Sequence, residues 1–175
     1  NKRARWVMNL ILCGMMGAGK TTVGIKIAEK LGRRWYDTDE VITQQYGKIS
    51  DIFEGKGEEY FRGLETQTVK SLSAETDLVI SVGGGLALRA ENVELLKQNG
   101  KIFFLRAKKQ TLLARLQGDK ERPLLQGEES LEDKIDRLLS TREAIYVKVA
   151  DYIVDVDEKS PDKIADEILV RIAKK

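Results

Sequence analysis

The chain has 175 residues, 42% of them hydrophobic, which suits one domain with one sizeable core and argues against disorder. Its 30 lysines and arginines stand against 28 acids, and the net charge of +2 supplies no strong field for a nucleic-acid or membrane-surface role. Histidine is absent and Cys13 is the single cysteine, which excludes an intramolecular disulfide, histidine-based zinc sites and histidine bases or acids, and leaves catalysis to carboxylates, lysines, hydroxyls and substrate groups.

The basic start "NKRARWVMN" leads into a short apolar run and a glycine-rich loop, not a cleavage site, and is read as a truncation or an expression remnant. No apolar run approaches the roughly 20 residues that span a bilayer, so a cytoplasmic protein is expected. In chain order, residues 10–13 read as a buried strand, 21–31 as a helix, and 35–36 as the end of a second strand. A helix is predicted over 58–72, a strand over 78–82, a helix over 91–98, a strand over 102–105 and a helix over 110–116. The polar, glycine-bounded "GDKERPLLQG" at 118–127 reads as a surface loop. Then follow a helix over 131–149, a strand over 152–156 and a helix over 161–173, opened by Ser160 as N-cap and Pro161 at the first helical position. The β-branched strands and their alternation with helices predict an α/β domain of three layers around a parallel sheet. No repeat or linker divides residues 1–175.

Between the first strand and the first helix lies Gly14-x-x-x-x-Gly19-Lys20-Thr21, a complete phosphate-binding loop in its proper setting. Glycines let backbone N–H groups curl around phosphates, the helix N-terminus adds its positive end, Lys20 reaches the outer phosphates and the Thr21 hydroxyl can bind Mg²⁺. Cys13, on the strand before it, reads as small apolar filler.

Asp37 and Asp39 stand in "DTD" after Trp35 and Tyr36. In extended chain, carboxylates two residues apart share one side. At the carboxyl end of a sheet strand, one could hold Mg²⁺ through water and the other could orient or deprotonate an attacking hydroxyl. The competing reading is a turn, with Asp39 capping a following helix. No other apolar run ends in an acid suited to metal, so Asp37 takes that task by elimination. Three consecutive glycines, Gly83, Gly84 and Gly85, follow a buried strand, and suggest a surface where something approaches the backbone.

Arg142 interrupts the apolar stripe Leu131, Ile135, Leu138, Ile145 and Val149. A guanidinium is not left unpaired in a core: it meets an internal acid, or it lines a cavity that receives an anion, and both alternatives stay open. Arg62 flanks the stripe Phe61, Leu64, Thr68 and Leu72, within reach of Glu58 and Glu65, as a solvated ion-pair face would have it. Arg115 ends a helix and Arg122 lies in the following loop, where a closing arginine can stabilise transferring charge.

In order, "GMMGAGKTTVG", "YDTD", "GEEYFRGLE", "VGGG", "ERPLL" and "REAIY" resemble the shikimate kinase family, over nearly the whole chain. The resemblance implies a P-loop kinase domain of the nucleoside-monophosphate-kinase type, α/β/α, with a five-stranded parallel sheet in the order 2-3-1-4-5. It implies an ATP- and Mg²⁺-dependent transfer of the γ-phosphoryl group to the 3-hydroxyl of shikimate, in chorismate and aromatic amino-acid biosynthesis. It further implies that Gly17, Ala18, Gly19, Lys20, Thr21 and Thr22 bind ATP, and that Thr21 and Asp37 serve the metal. Asp39 contacts shikimate and is the candidate base, Arg62 and Arg142 take the carboxylate, and Gly83, Gly84 and Gly85 meet the ring. Arg122 reaches phosphates, Arg115 lies near the nucleotide and Lys159 borders adenine. Residues 37–65 would form the acceptor region and 115–127 a lid. The partners expected are shikimate and ATP only, with neither nucleic acid nor membrane, and the protein is expected to be a monomer.

Overall fold

The computed structural model describes residues 7–117 and 129–173. Five parallel strands form its sheet: β1 (Asn9–Cys13), β2 (Arg34–Asp37), β3 (Leu78–Ser81), β4 (Gly100–Arg106) and β5 (Tyr152–Asp155), in the order β2-β3-β1-β4-β5. β1 and β3 are buried along their whole length, as strands covered on both faces are. The apolar runs at 10–13 and 78–82 show no alternation for that reason. Leu12 pairs with Ser81 on one side and with Phe103 on the other, which puts the ends of the three central strands at nearly one height.

Among the described residues the helices are α1 (Lys20–Leu31), α2 (Thr38–Tyr46), α3 (Ile49–Lys56), α4 (Glu58–Ser73), α5 (Ala90–Gln98), α6 (Lys109–Gln117), α7 (Leu131–Val149) and α8 (Pro161–Ala173). α1 ends at Gly32, whose left-handed conformation (φ 65°) turns its N–H back to the Ala28 and Glu29 carbonyls. The Ser160 hydroxyl accepts from the Lys163 N–H, so the predicted cap of α8 is present. The expected layers and strand order are those observed.

Two elements go beyond the sequence reading. α2 and α3 fill the stretch between β2 and α4, where a helix entered only as the competing reading of Asp39. Each buries a single aliphatic side chain, Ile42 and Ile52, too few to print a helical period. With Phe61 and Leu64 of α4 these make a second small core, separate from the main one around the sheet. In α7 the inward stripe runs through Ile135, Leu138 and Tyr146, while Ile145 is half-buried. The aromatic ring, not the isoleucine, is what faces the core.

Candidate active site

The loop after β1 closes tightly on itself. Gly14 has φ 146°, and a Cβ there would lie 2.7 Å from the Leu105 carbonyl oxygen of β4, so glycine is required. Lys20 Nζ donates to the Gly14 carbonyl at 2.7 Å and Arg115 Nη1 to the Gly17 carbonyl at 3.0 Å, so both cations fold over the loop. Burial holds the Lys20 ammonium below the ordinary lysine pKa, against a raising pull led by Asp39. A partly desolvated cation of this kind favours an arriving anion. The Cys13 thiol is pushed up to about 12 by burial, which keeps it inert.

α1 is tied to the sheet beneath the loop. Trp35 Nε1 donates to Ser81 Oγ at 3.0 Å, and that hydroxyl donates to the Lys20 carbonyl at 2.7 Å. Gly24 leaves the room: a Cβ there would sit 2.6 Å from both Ser81 Oγ and Trp35 Nε1.

The two aspartates do not share an extended segment, which corrects the sequence reading. Asp37 ends β2 and is itself the N-cap of α2, its carboxylate accepting from the N–H groups of Asp39 and Glu40 at 2.9 and 3.2 Å. Asp39 therefore lies in the first helical turn and does not cap it. The helix starts at Thr38, directly after Asp37, because the Asp37 carboxylate can satisfy two of its orphan donors. Asp37 Oδ2 also faces the Thr21 hydroxyl at 3.4 Å. Burial, with Asp37 adding to it, raises the Asp39 pKa above the usual carboxylate value, against the opposing pull of Lys20 and Arg62.

What approaches the glycine triplet is a set of side chains. A Cβ on Gly83 would lie 2.7 Å from Asp39 Oδ1; on Gly84, 2.8 Å from Arg142 Nη1; on Gly85, 2.6 Å from Arg62 Nη1. Each glycine is thus the seat of one charged group, and the three seats bring Asp39, Arg142 and Arg62 together. The Gly83 N–H is held by the buried Thr38 hydroxyl at 2.9 Å.

The arginines differ in support. Arg62 donates to Glu65 at 2.7 Å and to Glu58 at 3.4 Å. Glu65 is only 1% exposed, so the pair is no solvated surface contact. Burial raises the Glu65 pKa and the Arg62 guanidinium opposes it. Arg142 has no carboxylate partner among the described residues and lines a cavity instead. That cavity, of about 660 Å³, is also lined by Gly17 through Thr22, Asp37, Asp39, Gly83, Gly84 and Arg115.

Arg122 and most of the expected lid lie outside the described residues. Lys159 is paired with Glu167 at 3.1 Å, and Pro161 and Ile164 are the residues of that segment that line the cavity. Sequence reading missed two side chains that hold the site, Thr38 and Tyr146, and named Glu65 only as a partner on a solvated face. Thr38 stood inside "DTD"; Tyr146 had a signal in its spacing of four from Arg142.

The family model for shikimate kinase matches residues 16–173. The chain is 41% identical to the shikimate kinase of Sulfurihydrogenibium sp. over 95% of its own length and 99% of that protein's. It is 43% identical to that of Persephonella marina, over 94% and 98%. The fold superposes on a shikimate kinase from Acinetobacter baumannii in complex with shikimate with a TM-score of 0.88, at 40% identity, covering 98% of this chain and 97% of the other. The shikimate kinase of Aquifex aeolicus gives 0.78 at 37% identity, over 94% and 96%.

Proposed function

This chain belongs to the shikimate kinase family, and from that premise we propose how its residues share the transfer of the γ-phosphoryl group of ATP to the 3-hydroxyl of shikimate. The observation that carries the reading is the opposition of two polar sets, each with charged members, across one cavity. Lys20, Thr21 and Arg115 sit over the loop after β1, and Asp39 and Arg142 sit over the glycine triplet.

In this reading Gly17 to Thr22 cradle the ATP phosphates through backbone N–H groups and the α1 N-terminus, and Lys20 leaves the Gly14 carbonyl for the outer phosphates. Arg115 borders the nucleotide. Lys159 belongs to the segment bordering adenine, although Pro161 and Ile164 are what that segment turns toward the cavity. Arg62 and Arg142 hold the shikimate carboxylate, whose planar pair of oxygens suits guanidinium forks. The ring rests against Gly83, Gly84 and Gly85. Asp39 accepts a hydrogen bond from the attacking hydroxyl and can take its proton. Its raised pKa moves it toward the range in which a carboxylate is an effective base. The role of Arg122 in steadying phosphate charge, and of a lid over 115–127, rests on the resemblance.

The residues present suit Mg²⁺. Thr21 and Asp37 offer hard oxygen donors 3.4 Å apart at the mouth of the phosphate loop, and this ion takes one or two protein ligands beside phosphate and water. Bound there, it would neutralise charge on the β- and γ-phosphates. We further propose a cytoplasmic monomer of one domain. No helix of the described residues is long and apolar enough to cross a membrane.

The test is coupled ADP release with shikimate, gluconate and nucleoside monophosphates as acceptors. Turnover with shikimate alone is expected. Turnover with a monophosphate and none with shikimate would overturn the assignment of the acceptor side.

A further inference from the structure

Tyr146 is a fully buried aromatic residue that none of the assigned roles uses. It follows Arg142 by four residues on α7, so the two side chains stack on one helix face. Its ring packs against Phe104 of β4, centroids 5.1 Å apart. Packing alone would be served by phenylalanine. The hydroxyl instead donates to the carbonyl of Gly84, the middle glycine of the triplet. That carbonyl belongs to the turn after β3, beyond the strand ladder, where the half-buried Gly84 takes its donor from the buried tyrosine. Burial pushes the phenol up to about 12, against the pull of Arg142, so it keeps its proton and stays a donor at every working pH.

Two contacts converge on Gly84. Arg142 Nη1 lies 2.8 Å, and the Tyr146 hydroxyl 3.7 Å, from the point a Cβ there would occupy. The tyrosine therefore fixes the peptide plane on which the guanidinium rests. The same plane leads into Gly85, the seat of Arg62. If the Gly84 carbonyl loses its donor, the plane is free to turn toward another partner, and both arginine seats turn with it.

We propose that Tyr146 is a positioning residue for the acceptor side, acting through the Gly84 carbonyl to hold Arg142 and Arg62 in the geometry that receives a carboxylate. This rests on the reading that the two arginines bind the shikimate carboxylate.

Tyr146→Phe removes the hydroxyl and keeps the ring. Steady-state kinetics should show KM for shikimate raised about five- to tenfold, the size expected for one lost buried hydrogen bond, with KM for ATP within about twofold. A lowered melting point with both KM values unchanged, or an equal rise in both, would overturn the proposal. The melting point of the variant, and calorimetric titration of shikimate into it, keep a folding defect separate from a binding one. Arg142→Ala is measured alongside. If it raises KM for shikimate and Tyr146→Phe does not, the tyrosine role falls and the carboxylate reading stands; if neither does, the carboxylate reading itself has failed.

Discussion

Asp39 shows how a site residue can work against the fold that holds it. Its native pKa lies above the ordinary 3.8, because burial and Asp37 disfavour its charge. The native state thus binds that proton more tightly than the unfolded chain. The sign follows: its contribution is best below about 3.8 and is lost as pH rises through the native value, so at neutral pH the ionised group is a standing cost. Asp39→Asn should therefore melt a few degrees higher than the parent at pH 7, with the gain vanishing below about pH 3.8, while kcat falls by about 10²–10⁴. Melting scans across pH and an ADP-release assay check both halves. The arginines separate differently. Arg62→Ala leaves the buried Glu65 carboxylate without its partner, and should cost on the order of 2–3 kcal/mol, below the ~3–5 kcal/mol of a fully buried pair because Arg62 keeps 19% exposure. Arg142→Ala orphans no acid among the described residues and should leave urea stability within about 0.5 kcal/mol. Both should raise KM for shikimate well above any change for ATP.

At the level of elements, the strands were legible because buried parallel strands announce themselves as unbroken apolar runs, and residues 10–13 and 78–82 do so. The phosphate loop was legible because its glycines are dictated by the backbone itself: Gly14 by its approach to the Leu105 carbonyl, Gly17 and Gly19 by their positive φ. α2 and α3 were not, since one buried aliphatic in each is no period. The geometry of "DTD" was misread for a related reason: a capping aspartate and an extended one look the same in sequence until the helix behind it is known. Tyr146 was hidden by a stripe that ran equally well through Ile145. Two glycine substitutions test the packing between elements. Gly24→Ala would drive a methyl group into the Trp35–Ser81 contact beneath α1, and should cost about 1–3 kcal/mol in urea unfolding. Gly63→Ala, in the middle of α4 with nothing within 4 Å, should instead gain about 0.5–1 kcal/mol by stiffening the unfolded chain and favouring helix.

Over the whole molecule the two apolar clusters are unequal. The main one wraps the sheet, whereas α2, α3 and the start of α4 are held by the small cluster of Ile42, Ile52, Phe61 and Leu64, with Ile49 and Phe53 packed on it. Local opening should begin where the fewest apolar contacts resist it. Hydrogen exchange is therefore expected to be faster across 38–56 than in β1 or β4, and to slow there when shikimate is added but much less with ATP alone. Uniform exchange across both regions would show that the small cluster is as firm as the large one.

The pairing of Leu12 with Ser81 has a consequence for how such an enzyme can change over generations. The phosphate loop and the glycine triplet leave adjacent strands at the same height, and the Val82 N–H donates to the Leu12 carbonyl at 3.0 Å as they part. The separation of the two floors is then the spacing of a β-ladder, about 4.8 Å, a length written in backbone and not in side chains. Mutation cannot drift it. A lineage could rebuild the helices between β2 and β3 to suit another acceptor and inherit the distance between donor and acceptor unaltered.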